Sequence, residues 1–340
     1  MAKDRVRICD IADELGLSTA TVSNVIHGKT RKISDETVRR VQELLEKRQY
    51  LPGRADVLMA QNDTGGIGII INNHEKYHGH VLEDAFVSSS LNHLSRVIEE
   101  AGYFMMIKTT TDISDIIRFA SMWNLEGLVV IGFCEQDYKK LRDFMHIPFV
   151  IYDGYLRETE RICNIAVDHY DGGRQMGTYF RELGHRRVLC IADNHICMDW
   201  ERYQGFSDGF LQSEEGLAEF LEVPMEKEER EKFYESHLEY LKKFTAVFAA
   251  SDYYAVDLIY FLARHGIRVP EDVEVAGFDD SPICTQIYPS LTSVRQNPER
   301  RAKIALEKLR ELRNGNNEGE NIILPVELII RGSTGTFLSD

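Results

Sequence analysis

Several groups of side chains in this sequence have types and spacings that could do chemistry. His74, Tyr77, His78 and His80 fall together and carry imidazoles that could ligate a metal. They lie in an irregular stretch with no cysteine partner, so the expectation is a solvated loop and no metal. Gly65-Gly66-Ile67-Gly68 has the composition of a phosphate-cradling loop. It precedes the first apolar run instead of following it, which is the wrong order for a dinucleotide site. The six cysteines (Cys9, Cys134, Cys163, Cys190, Cys197, Cys284) show no CxxC pair or metal-ligand spacing. Reduced thiols are expected, with Cys190 and Cys197 unreactive for want of a basic partner. Trp123 and Trp200 read as packing residues. The 55 carboxylates guarantee acid pairs somewhere, so none of them implies catalysis. No cofactor is expected.

One pattern is more specific. Ala12, Gly16, Val22 and Val25 provide a small residue, a turn glycine and two inward apolar positions at the offsets of a helix-turn-helix. The elements around it agree. Ile8 to Leu15 is apolar on one face, Ser18 is placed to cap a second helix running to Ile26, and Ser34 to cap a third that carries Val38, Val41, Leu44 and Leu45 toward Tyr50. Pro52-Gly53 breaks the third helix, and Asp63-Thr64-Gly65-Gly66 reads as a linker. Charge divides at the same place. The chain carries a net charge of -15, yet residues 1–60 are net +2 and the remainder net -17. A locally basic helical module in an acidic protein points to specific rather than general nucleic-acid binding.

Beyond the linker, short apolar runs alternate with helical segments: Ile67 to Ile71, Tyr103 to Ile107, Gly127 to Ile131, Phe149 to Tyr152, Val188 to Ile191, Ala246 to Ala249 and Val273 to Ala276. Each is too continuously apolar to have a wet face, which predicts parallel sheets with helices on both sides. The runs form two series separated near Asn164 to Asp171, so two similar halves should face a cleft at the carboxyl ends of their strands. At 340 residues, with 43% hydrophobic and 28% charged residues and no low-complexity tract, the chain has the composition of a multidomain globular protein. No apolar run approaches the roughly 20 residues of a membrane span, and the N-terminus leads into no apolar signal region. A cytoplasmic protein without membrane contact is expected.

The stretch Ile11-Ala12 through Leu17-Ser18-Thr19-Ala20-Thr21-Val22-Ser23-Asn24-Val25-Ile26 resembles the headpiece of the lactose/galactose repressor (LacI/GalR) family. The likeness continues in order through Pro148 to Asp153, Asp168 with Gly173, Gly184 to Arg187, Glu201 to Phe206, Val269 to Val273, Gly277 to Asp280 and Pro289 to Val294. It implies an α/β fold class: an N-terminal all-α helix-turn-helix headpiece plus a two-lobed, periplasmic-binding-protein-like doubly wound parallel-sheet sensor. The boundaries expected are 1–52 for the headpiece, 53–65 for hinge and linker, and 66–340 for the sensor. Its N-lobe would take about 66–163 and 292–325, and its C-lobe about 164–291 and 326–340. The implied function is a sequence-specific transcriptional regulator, a repressor acting as a homodimer on a near-palindromic DNA operator. A small effector, a sugar or sugar derivative, would bind between the lobes and set operator affinity. Thr19, Ala20, Thr21, Ser23 and Asn24 would meet DNA, with Arg54, Leu58 and Met59 of the hinge. Asp153, Arg202, Ser251, Asp252 and Asp279 would line the effector site, with Phe86 as an aromatic wall.

The family commonly carries Arg where this chain has Asn24, Asn where it has Ser251, and Asn-Ala-x-Ala-Arg-Ser-Leu where it has Gly53 to Met59. Two rival functions are less well supported by the residues. A carbohydrate-modifying α/β enzyme lacks support from any nucleophile elbow or P-loop, and a transport-type binding protein lacks support from a signal region.

Overall fold

The computed structural model describes residues 8–26, 29–48, 65–74, 79–154, 162–211, 216–315 and 319–335. The chain divides into two compact units, Met1–Thr64 and Gly65–Asp340.

In the first unit, α1 (Ile8–Leu15), α2 (Thr19–Ile26) and α3 (Asp35–Lys47) pack around Ile11, Ala12, Val22, Val25, Val41 and Leu44. The turn between α1 and α2 goes through Gly16 at φ 65°, a left-handed conformation that a side chain would strain. Both serine caps form as expected. Ser18 Oγ accepts from the Thr21 amide at 3.1 Å, and Ser34 Oγ from the Thr37 amide at 3.3 Å.

The second unit holds two six-stranded sheets. The first is built from β1 (Gly66–Asn72), β2 (Phe104–Thr110), β3 (Gly127–Ile131), β4 (Phe149–Tyr152), β5 (Cys163–Val167) and β11 (Glu320–Leu324), in the order β11-β5-β4-β3-β1-β2 and parallel throughout. The second is built from β6 (Arg187–Ala192), β7 (Leu217–Glu222), β8 (Ala246–Ala249), β9 (Glu274–Asp279), β10 (Thr292–Arg295) and β12 (Glu327–Ile329), in the order β12-β10-β9-β8-β6-β7. Only its β10–β12 pair is antiparallel.

The apolar runs are buried on both faces because successive side chains of a strand point in opposite directions. Ile67, Ile69 and Ile71 join one core while Ile70 joins another, and Val188 and Cys190 face away from Leu189 and Ile191. The helices that cover these faces are, in the first half, α4 (Ala85–Glu100), α5 (Ile113–Trp123) and α6 (Glu135–Phe144). In the second half they are α7 (His169–Glu182), α8 (Cys197–Phe210), α9 (Lys227–Ser236), α10 (Leu238–Leu241) and α11 (Asp252–Arg264). A last helix, α12 (Pro298–Arg313), packs back onto α4, β3, β4 and β5.

Two expected lobe boundaries move. Cys163–Val167 is β5 and closes the first sheet instead of opening the second half, while Thr292–Arg295 is β10 and remains in the second. The chain therefore passes between the sheets at Asp168, at Gln296-Asn297 and at Pro325-Val326.

Helices α7 and α8 approach unusually closely. A methyl group on Gly173 would lie 1.9 Å from the Arg202 carbonyl oxygen, and one on Gly205 would lie 1.9 Å from the Tyr170 carbonyl oxygen. Gly177 and Gly209 repeat the contact one turn on, at 2.0 Å from the Phe206 and 2.3 Å from the Arg174 carbonyl oxygens. Backbone meets backbone along this seam, which only glycine allows.

Candidate functional site

On α2, Val22 and Val25 face the small core while Thr19, Ala20 and Asn24 are exposed, and Thr21 and Ser23 are half-buried. The helix thus presents short polar side chains outward on a surface narrow enough for a DNA major groove. Thr21 Oγ1 shares a hydrogen bond with Ser18 Oγ at 2.9 Å, so part of its capacity is spent on the cap. Arg54, Leu58, Met59 and the rest of the expected hinge lie outside the described residues.

In the sensor the candidate residues collect at the carboxyl ends of strands, where a doubly wound sheet leaves a crevice. Asp153 follows β4, Ser251 follows β8 at the N-cap position of α11 without a capping side-chain hydrogen bond, and Asp279 ends β9. Asp153 and Asp279 have φ of 48° and 120°, both outside the comfortable range for a side-chain-bearing residue. Arg202 comes from the first turns of α8 and is 8% exposed. Its guanidinium stacks on the Phe278 ring, with Cζ 3.8 Å from the centroid. It donates to the Ala250 carbonyl, donates from Nε to His169 Nδ1 at 3.2 Å, and lies 3.7 Å from Asp199 Oδ1.

An arginine N–H only donates, so His169 Nδ1 must accept and its ring proton sits on Nε2. That atom lies 3.3 Å from Asp153 Oδ1, with its N–H dipole toward the carboxylate but not aligned as a hydrogen bond. Burial, with the Arg202 charge behind it, pushes the His169 pKa down and keeps the ring neutral. Burial alone would raise Asp153, but the Arg301 guanidinium, which donates to Oδ1, together with His169 holds its carboxyl well below the usual range. Asp279 goes the other way. Burial raises it strongly, Arg202 opposes this, and the acids Asp252 and Asp84 add to the rise. Glu201 is also raised by burial, with Asp168 adding to it. The acids that stand at strand ends of the two sheets are therefore shifted in opposite directions, Asp153 down and Asp279 up.

Gln296 completes the cluster by donating to Asp279 Oδ1 at 2.6 Å and accepting from Arg301 at 3.3 Å. His169, Gln296 and Arg301 were not singled out from the sequence. Arg301 stands four and eight residues before Ala305 and Leu309 on one helical face, and that spacing is the signal that would have marked it as inward.

Asp252 differs from expectation. It is fully buried, and its oxygens accept from the Ser281 amide at 2.7 Å, the Ser281 hydroxyl at 2.8 Å, the Cys284 thiol at 3.1 Å and the Ser293 hydroxyl at 2.6 Å. With four donors on two oxygens it anchors a loop to β10 and has little left for a ligand. Phe86 is partly buried, its ring 5.5 Å from the Arg301 Cζ, so it walls the arginine rather than standing open. Of the histidine loop, Tyr77 and His78 lie outside the described residues, His80 pairs with Glu83 at 2.9 Å, and no group of potential metal ligands occurs among the described residues. Burial raises the Cys190 and Cys197 thiols, and Trp200 packs on Tyr203 and Phe220.

Residues 7–53 match the model of the bacterial regulatory proteins of the lacI family, and residues 178–334 match a periplasmic binding protein-like domain. The chain belongs to the LacI family. It is a DNA-binding transcriptional regulator with a sensor for a small effector. Relatives of this LacI-family regulator run nearly its whole length. The transcriptional repressor PurR of Vibrio cholerae is 28% identical over 317 residues, covering 89% of this chain and 90% of the relative. The regulator MalR of Clostridium butyricum is 25% identical over 342 residues, covering 96% and 99%. Two solved structures share the fold. A lac repressor dimer bound to operator and the anti-inducer ONPF has a TM-score of 0.81 at 20% identity, covering 97% of this chain and 99% of that one. A complex of the transcriptional regulator CelR with cellobiose has a TM-score of 0.69 at 23% identity, covering 97% and 100%.

Proposed function

We propose that this LacI-family regulator represses transcription as a homodimer on a near-palindromic operator and that a hydroxyl-rich effector, a sugar or sugar derivative, sits between its lobes. The DNA contacts would come from Thr19, Ala20, Thr21, Ser23 and Asn24, with Arg54, Leu58 and Met59 of the hinge. The effector contacts would come from Arg202, Asp153, Asp279 and Ser251, with Phe86 behind them. Asp252 serves the site by holding the loop at Ser281. The observation that carries this reading is the placement of Arg202, a buried cation stacked on Phe278, whose charge acts on Asp279 and which is linked through His169 toward Asp153. Hydroxyls both donate and accept, so a polyol satisfies acids and an arginine together. The cellobiose bound by the CelR neighbour and the repressor names of the relatives support the same assignment. They also favour a regulator over an enzyme. Among the described residues no helix is long and apolar enough to cross a membrane, and a regulator of this kind acts in the cytoplasm, on DNA.

Control would work by linkage. An effector that prefers one arrangement of the lobes shifts the population of dimers able to hold DNA, and a coupling of about 1–3 kcal/mol changes operator affinity roughly 5- to 150-fold. Arg202 also holds the Ala250 carbonyl and His169, so truncation to alanine would loosen the fold as well as remove a ligand contact. Arg202→Lys is the cleaner test because it keeps the charge and removes the planar fork. In calorimetry with D-ribose and with cellobiose as probes, a sugar that binds the full chain should bind the variant at least about tenfold more weakly. Undiminished affinity in a folded variant would falsify the assignment.

A further inference from the structure

Gln296 joins Asp279, at the end of β9, to an arginine that itself holds Asp153, just after β4. It lies where the chain leaves the second sheet for the first, and its amide has one accepting and one donating end. Arg301 Nη1 donates to Gln296 Oε1 at 3.3 Å, and Gln296 Nε2 donates to Asp279 Oδ1 at 2.6 Å. A guanidinium cannot accept, so the bond from Arg301 decides which end of the amide faces Asp279. Without it the amide could turn over and set its oxygen against the carboxylate. Through Nη2 the same guanidinium donates to Asp153.

Packing alone would not choose arginine at this position. Arg301 is 2% exposed, its Nε is buried without a partner, and the Tyr152 and Phe86 rings stand 5.0 and 5.5 Å from its Cζ. An unpaired buried donor is a penalty that an aliphatic side chain of similar volume would avoid. The groups that gain from an arginine are the two acids. Asp153 follows β4 of the first sheet and Asp279 ends β9 of the second, and no hydrogen bond is made to Asp279 Oδ2 among the described residues.

We propose that Arg301 is a positioning residue of the effector site: through Gln296 it occupies Asp279 Oδ1 and leaves Oδ2 to be presented to an effector hydroxyl, while it fixes Asp153 from the same guanidinium. The acids of the two lobes then meet a ligand at one set spacing, which selects among sugars by the separation of their hydroxyls. This rests on the reading of the crevice as the effector site.

The test is a double-mutant cycle in the full chain, Arg301→Lys against Asp279→Asn, read as urea unfolding midpoints. The two side chains do not bond each other, so a purely structural arginine acting on Asp153 predicts additive shifts. The relay through Gln296 predicts a double variant whose shift falls short of the sum by at least half of the smaller single shift. Additive shifts overturn the proposal. If Arg301→Lys does not fold, Arg301→Met, which keeps the volume, runs the same cycle, and failure of both to fold also overturns it because the residue would then be required by the fold itself. Calorimetry with D-ribose and cellobiose adds a second reading. A probe weakened by Arg202→Lys should be weakened by a similar factor in Arg301→Lys and in Gln296→Ala, and no further in their combination, whereas independent losses overturn the relay. Should binding prove indifferent to Arg202→Lys, the placement of the effector fails, and the unfolding cycle still decides the role of Arg301.

Discussion

Gly205→Ala offers a sharp test of how the effector arginine is held. On an ordinary helix, replacing an interior glycine by alanine stabilises by about 1 kcal/mol. Here the added methyl would stand 1.9 Å from the Tyr170 carbonyl oxygen, against a comfortable contact of roughly 3.5 Å, so α7 and α8 must part by about 1.5 Å. The obstacle is backbone and cannot rotate aside. Parting the helices also opens the seam flanked by Met176, Phe180, Phe206 and Phe210, where a gap of that size forfeits about half or more of each dispersion contact. Overpacking costs typically about 1–3 kcal/mol, and a clash with backbone along a whole helix pair belongs at or above the top of that range. The steric cost therefore exceeds the propensity gain, leaving a net loss of about 2 kcal/mol or more. For a sensor of this size that is a fall in Tm of roughly 4–8 °C. Thermal melts of Gly205→Ala beside Gln204→Ala, an exposed neighbour on the same helix, would measure it. Because Arg202 rides on α8, the same variant should lose sugar affinity as well. A Tm equal to or above that of the parent chain would refute the reasoning, since helix propensity would then be the larger effect.

Three further expectations follow from the sites. The folded-state pKa of Asp279 is raised, so the fold binds an extra proton that the unfolded chain gives up, and stability should fall as pH rises through the window between the two pKa values. Asp279→Asn should lessen that fall, and melts taken at rising pH above the ordinary carboxylate range that run parallel in both proteins would count against it. Asn24 should pair with adenine where an arginine would read guanine, so binding sites selected from random DNA should carry an A·T pair at the symmetric position. A strong guanine requirement there would exclude the assignment. In the hinge, Asp56→Ala should tighten operator binding and steepen its salt dependence by removing a negative charge beside phosphates. No change in either would mean that the carboxylate faces solvent.

Much of this was readable in the residues because the physical rules involved are local. A serine before a helix satisfies an amide within three residues, so Ser18 and Ser34 could be assigned as caps without knowing the fold. A run such as Ile67 to Ile71 has no polar side to turn to water, and its burial on both faces followed. The strands that escaped notice had weaker patterns. Leu217–Glu222 is interrupted by two glutamates and is only partly buried at a sheet edge, Glu320–Leu324 is mostly exposed at the other, and Thr292–Arg295 is short and polar although buried, because Thr292 and Ser293 find hydroxyl and carboxylate partners far along the chain. The same limit applies to the crevice. Asp153, Arg202 and Asp279 were marked by resemblance, but which of their bonds are already spent depends on Arg301, Gln296 and His169, whose positions are set by crossings between sheets rather than by neighbours in sequence. Asp252 was misread for that reason, since nothing near it in the chain announces that Ser281, Cys284 and Ser293 will converge on it.

The last strands of both sheets come from the final stretch of the chain, β11 lying against β5 and β12 against β10, and Ser333 ties down both the Thr292 amide and the Val275 carbonyl. During synthesis, at about 5–20 residues per second, the DNA-reading helices leave the ribosome before the sensor does, and the sensor cannot close either half until β11 and β12 have emerged. A message cut short after α11 would yield a headpiece attached to two unfinished sheets, with strand edges left open to pair with other chains. Such fragments should be insoluble or cleared by proteases. The order of elements thus makes completion of the sensor a checkpoint on every copy that reaches the operator.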